Sequence, residues 1–189
     1  MMEADAVEQA LELLGAVLEQ RGSGYDIVVV GGSALLLLGI IHRPTKDLDV
    51  LALIQDGHYV TAQPLPVGLE QAARDVALEL GLAPDWLNGG PTAQLHSGLP
   101  EGFHTRVETR SYRTLTVHIA SRLDQIYLKL YAAVDLGRGK HTDDLRRLAP
   151  TQQELRDAAT WVRGQDIGPV FPRLVAATLK AFGVEDATI

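Results

Sequence analysis

Residues 27–53 read IVVVGGSALLLLGIIHRPTKDLDVLAL, and the order of segments within them decides the fold. Tyr25 to Val30 is short, continuous and β-branched, the pattern of a buried strand. Gly31-Gly32-Ser33 follows as a tight turn, with Ser33 placed to cap a helix over 34–40. Gly39 and Pro44 end that helix, and Asp47 to Leu53 reads as a second strand. Residues i and i+2 of a strand share a face, so Asp47 and Asp49 stand side by side. Two such carboxylates repel each other unless a cation lies between them. A hard divalent ion accepts one or two carboxylates together with phosphate oxygens. The glycine turn offers backbone N–H groups to an anion and lets it come close. Turn and carboxylates together point to a site for phosphates and metal. Taken singly, each has an ordinary reading: a strand-to-helix turn, and two strand acids facing solvent.

Outward from this stretch, the pattern is helix, small sheet, helices. Apolar positions at helical spacing predict an amphipathic helix over 4–20, ended by Gly22 and Gly24. Residues 54–66 read as loop, 67–80 as a helix closed by Gly81, and 84–102 as irregular chain. Two strands are expected over 103–113 and 115–120, the second alternating apolar Leu115, Val117 and Ile119 with Thr116 and His118. The last third is helical: Ser121 caps 122–136, Thr142 is placed to cap 143–148, Thr151-x-x-Glu154 is a capping box opening a helix to about 163, and a final helix covers 169–182. The expected fold class is α+β, a small mixed sheet with helices followed by a C-terminal helical segment. The division is a core with an N-terminal helix over 1–120 and a helical segment over 121–189.

The chain has 189 residues, a net charge of −7 and no cysteine, which excludes disulfides and thiolate metal sites. An acidic start without a signal peptide's basic residues, and no apolar run of membrane-spanning length, lead to the expectation of a soluble cytoplasmic protein with no membrane partner. Charge is uneven. Residues 103–150 hold nine Lys and Arg against five acids, a net +4, leaving −11 on the remainder. Such a segment is either a face for phosphates or a set of solvated helices laced with ion pairs. The six histidines show no zinc-ligand spacing, and Trp86 and Trp161 read as packing residues.

The sequence GGSALLLLGIIHRPTKDLDV resembles the signature of the nucleotidyltransferase superfamily with the polymerase-β-like fold: a Gly-(Gly/Ser)-Ser turn, a helix, then Asp-x-Asp on the neighbouring strand. Arg43-x-Thr45-x-Asp47-x-Asp49 is most similar to the AbiEii/MenT-type toxin branch and to the small DUF6036 proteins beside it, and LAPDWLN at 82–88 is similar to the latter group. A later motif of that branch, a helical Lys followed by Lys-Asp-x-x-Asp-Leu, is matched by Lys129 and by Lys140 to Leu145. Asp144 falls on the final Asp of that motif. His141 stands where the first Asp would be, a departure that leaves that position without an assigned role.

The resemblance covers 28–148 and implies a catalytic set of Asp47, Asp49, Lys129 and Asp144. It implies nucleotide binding by Gly31, Gly32, Ser33, Arg43, Thr45 and Lys129, with Mg²⁺, for which Mn²⁺ substitutes, on Asp47 and Asp49. Glu108, the one acid of the strand expected over 103–113, is a candidate third ligand. The implied reaction moves a nucleoside monophosphate from an NTP to a hydroxyl. The toxin branch makes that hydroxyl the tRNA 3′ end and adds a cognate antitoxin as partner. Alternatives are an aminoglycoside-like small molecule or a protein as acceptor, and a nucleotide-binding module without turnover.

Overall fold

A computed structural model describes residues 1–137, 139–166 and 168–184; Arg138, one of the nine basic residues of the 103–150 segment, lies outside them. The fold is α+β, and the chain divides into two compact units, one of Met1–Leu99 with Phe103–Ala120, the other of Pro100–Gly102 with Ser121–Ile189.

The first unit holds α1 (Ala4–Gln20), β1 (Tyr25–Val30), α2 (Gly31–Leu37), β2 (Leu48–Gln55), β3 (His58–Thr61), α3 (Val67–Leu80), β4 (Leu87–Asn88), the short α4 (Gln94–Ser97), β5 (Glu108–Tyr112) and β6 (Leu115–Ile119). The strands form one mixed sheet in the order β3-β2-β1-β6-β5, with β4 paired to β2. The middle strand, β1, runs antiparallel to β2 and parallel to β6. A central strand is covered on both faces, which is why its sequence is a continuous apolar run instead of an alternating one. Helix α1 turns Val7, Leu11, Leu14 and Leu18 inward at three- and four-residue spacing. Glu8 ties it to β5, accepting from Arg110 at 2.6 Å and from the Tyr112 hydroxyl at 2.6 Å. Burial, reinforced by that bond to Glu8, pushes the Tyr112 phenol well above its ordinary range.

Two strands were not expected. β3 extends the turn after β2, and β4 is two residues long and exists by pairing with the start of β2. The strand expected over 103–113 is shorter, with a 3-10 turn at Phe103–Thr105 before β5.

In the second unit α5 (Arg122–Asp135) lies against α6 (Lys140–Arg147), α7 (Gln152–Arg163) and α8 (Phe171–Ala181). Ser121 caps α5 by accepting from the Asp124 N–H, and Thr151 with Glu154 forms the expected capping box at the start of α7. Thr142 lies inside α6, which begins at Lys140, and so caps nothing. Trp161 packs its ring against Tyr127 and Tyr131. Arg122 ties the unit together, donating to the Leu148 carbonyl at 2.9 Å and to Glu154 at 2.7 Å. The Arg122 guanidinium, with the Thr151 backbone N–H, lowers the Glu154 carboxyl from 4.5 to about 2.

Candidate functional site

The glycine turn and the paired carboxylates meet in the first unit. β1 and β2 are paired so that Val30 faces Asp49, which brings the start of α2 alongside the Asp-x-Asp. Gly31 adopts φ +80°, a left-handed conformation that only glycine takes without strain. A Cβ at Gly31 would lie 2.6 Å from Asp49 Oδ2, so the absent side chain is the space the carboxylate occupies. One residue on, a Cβ at Gly32 would lie 3.1 Å from Thr45 Oγ1 and 3.9 Å from an Arg43 guanidinium nitrogen. Gly31, Gly32, Arg43, Thr45 and Asp49 therefore gather at one end of the β1–β2 pair. Thr45 Oγ1 adds Asp47 to the group, donating to its carbonyl at 3.2 Å and lying 3.5 Å from Oδ1.

The second strand, expected from Asp47, begins at Leu48, so Asp47 stands just before it. Leu48 and Val50 are wholly buried, while Asp49 between them, and Asp47, are half-buried. The hard oxygen donors of two carboxylates gathered at this end of the strands fit a divalent cation of the Mg²⁺ type. Among the described residues no group of three or more His, Asp or Glu could hold a metal ion. Glu108 does not join them: it begins β5, three strands across from β2, and binds Arg110 at 2.7 Å.

Ser33 is not the helix cap. Val30 holds that position, and Ser33 is the third residue of α2, wholly buried, with its Oγ lacking any hydrogen-bond partner. Buried hydroxyls are nearly always bonded, so this one stands out.

The second cluster is in the helical unit. Lys129 of α5 donates to Asp144 of α6 at 2.8 Å, and both are buried, Lys129 at 6% exposure and Asp144 at 0%. His141 is half-buried on α6. Of the basic residues in 103–150, Arg110, Arg113, Arg122, Lys129 and Arg146 all form ion pairs with acids of the chain. Much of that segment's positive charge is thus answered within the protein.

Two residues near these groups were given no role by the sequence. Met2, 1% exposed, makes an antiparallel bridge to Thr45, donating to its carbonyl at 2.6 Å and accepting from its N–H at 2.8 Å. It anchors the loop that bears Arg43, Thr45 and Asp47. Asn88, on β4, is paired with Asp49. Neither pairing is visible in a local pattern, since each joins segments about forty residues apart.

Residues 6–136 match the model of the family described as nucleotidyltransferase of unknown function, DUF6036. The chain belongs to that family. The match takes in the glycine turn, the Asp-x-Asp and Lys129, and stops before Asp144. Among curated proteins and solved structures, nothing matches the chain. Among the described residues no helix is long and apolar enough to cross a membrane.

Proposed function

We propose that this DUF6036 member transfers a nucleoside monophosphate from an NTP to an acceptor hydroxyl. The observation that carries the reading is the seating of Asp49 in the space left by the Gly31 side chain, with Thr45 and Arg43 beside Gly32. A phosphate chain needs close backbone approach, positive charge and hydroxyl donors. Gly31 and Gly32 supply the first, Arg43 the second, and Thr45 and Ser33 the third. A phosphate oxygen at the turn would also provide the partner that Ser33 Oγ lacks. Asp47 and Asp49 would hold Mg²⁺, or Mn²⁺ in its place, which supplies neutralisation of the triphosphate.

In the transfer, the acceptor oxygen bonds to the α-phosphorus, the bond from that phosphorus to its bridging oxygen breaks, pyrophosphate leaves with the electron pair, and the hydroxyl proton passes to water. The chain's part is to position and to neutralise, because the reaction asks little covalent chemistry of a protein. The resemblance to the toxin branch alone assigns roles to Lys129, as the charge that answers the departing pyrophosphate, and to Asp144, as the group that holds it. The same resemblance makes the tRNA 3′ end the acceptor and an antitoxin the partner, in a cytoplasmic setting.

Incubation with each labelled NTP, Mg²⁺ and total tRNA tests the reading. Wild type is expected to label tRNA, and Asp49→Ala to lose at least about a thousandfold in rate while remaining folded. Equal labelling by both proteins sinks the enzymatic reading. Labelling of an aminoglycoside or a protein instead of tRNA changes the acceptor and keeps the transfer.

A further inference from the structure

We infer that Asn88 is a nucleotide-binding residue of this site, its side-chain amide donating to an oxygen of the bound NTP; the inference rests on the reading that Asp47 and Asp49 hold the nucleotide's metal. β4 is parallel to the start of β2, with Leu87 opposite Leu48 and Asn88 opposite Asp49. Residues paired in this way share a face, and neighbouring strands are about 4.8 Å apart. Asn88 thus stands next to Asp49 on the carboxylate face, while Leu87 and Leu48 both turn into the core. Asp49 is flanked by the glycine turn on one side and by Asn88 on the other.

The surroundings hold Asn88 in place. Trp86 is wholly buried, donates from its indole to the Ala73 carbonyl at 2.8 Å, and accepts from the Leu48 N–H with its own carbonyl. On the other side, the Asn88 Oδ1 accepts from the Gly90 N–H at 2.9 Å, and a Cβ at Gly89 would run into the Ala62 carbonyl. With Oδ1 occupied, the group left over is Nδ2. Its two N–H donors make no hydrogen bond among the described residues.

Chemistry then selects the ligand. An amide N–H cannot bind a cation, so the two Nδ2 donors take no part in holding the metal. It is matched to an oxygen acceptor, a phosphate or a sugar hydroxyl of the nucleotide. A carboxylate at 88 would place a third negative charge beside Asp47 and Asp49 and repel the triphosphate; the amide does not.

The test measures binding without turnover. The probes are Mn²⁺ alone, followed by electron paramagnetic resonance, and the four α,β-methylene NTPs and tripolyphosphate with Mg²⁺, followed by calorimetry. Asn88→Ala is expected to weaken the tightest NTP analogue about tenfold or more, the loss of one hydrogen bond to a charged group, and to leave Mn²⁺ binding within about twofold. Asn88→Asp keeps an acceptor for the Gly90 N–H, so the turn survives. It is expected to weaken the nucleotide further and to tighten Mn²⁺, an opposed pair of shifts that a merely structural role does not produce. If tripolyphosphate weakens in parallel, the acceptor is a phosphate; if only the nucleotide does, it is a sugar hydroxyl. Nucleotide binding that is lost in Asp49→Ala but unchanged in both Asn88 variants overturns this inference alone. Wild type that binds none of the analogues overturns the proposed function and this inference with it.

Discussion

The carboxylates of the sheet and those of the helices sit under opposite conditions. Asp47 and Asp49 are half-buried acids two residues apart, at the start of β2. Asp144 is wholly buried, and its charge is answered by Lys129 at 2.8 Å. A buried opposite-charge pair is costly to desolvate but far costlier to break. Under the proposed function, substitution at Asp49 is expected to change activity first, and substitution at Lys129 or Asp144 to change stability first.

The largest expected effect breaks the helical pair. Asp144→Ala strands the Lys129 ammonium in the interior and is expected to cost about 3–5 kcal/mol in urea denaturation. The double variant Lys129→Met with Asp144→Leu, which removes both charges, recovers most of that. If Asp144→Ala is as stable as wild type, the pair is not a buried one and the contrast collapses.

Next comes the glycine beside Asp49. Gly31→Ala places an L-residue at φ +80° and its Cβ against Asp49 Oδ2, for a cost of roughly 2 kcal/mol, together with loss of Mn²⁺ binding as the carboxylate is displaced. Unchanged metal affinity in a folded Gly31→Ala protein separates the turn from the carboxylates.

The smallest effect concerns a carboxylate whose partner lies nearer the surface. Glu154 is held at about pKa 2 by Arg122, against an ordinary 4.5. Because the folded value is the lower one, its contribution is complete above about pH 4.5 and disappears as the pH falls through about 2. Glu154→Ala is expected to cost about 1 kcal/mol at pH 7, from the lost capping box and the partly screened ion pair. The difference between variant and wild type should shrink toward pH 2, measured by thermal unfolding across that range. A constant difference places the effect in packing instead of charge.

Much of the site could be read from the chain because its parts are local. A β-branched run is a strand wherever it goes, and a glycine pair after it is a turn. Asp-x-Asp puts two side chains on one face by period alone. Ser121 and the Thr151–Glu154 box were legible for the same reason: a cap involves residues three apart. Ser33 misled because the helix began three residues earlier than the capping pattern implied, which moved the hydroxyl inside α2 and left it buried. The basic segment left its two readings open. Its charge was counted correctly, but a count does not show that Arg110, Arg113 and Arg122 are each already engaged by an acid far along the chain.

What residues 27–53 settled unaided was the strand and the glycine turn, since backbone sterics and strand period act over a few residues. Tertiary structure alone put β1 in the middle of the sheet, paired Asn88 with Asp49, bridged Met2 to Thr45 and buried Lys129 against Asp144. Each of these joins segments whose separation along the chain leaves no periodic trace. Hydrogen bonds and apolar burial select them only once the whole unit has closed around them.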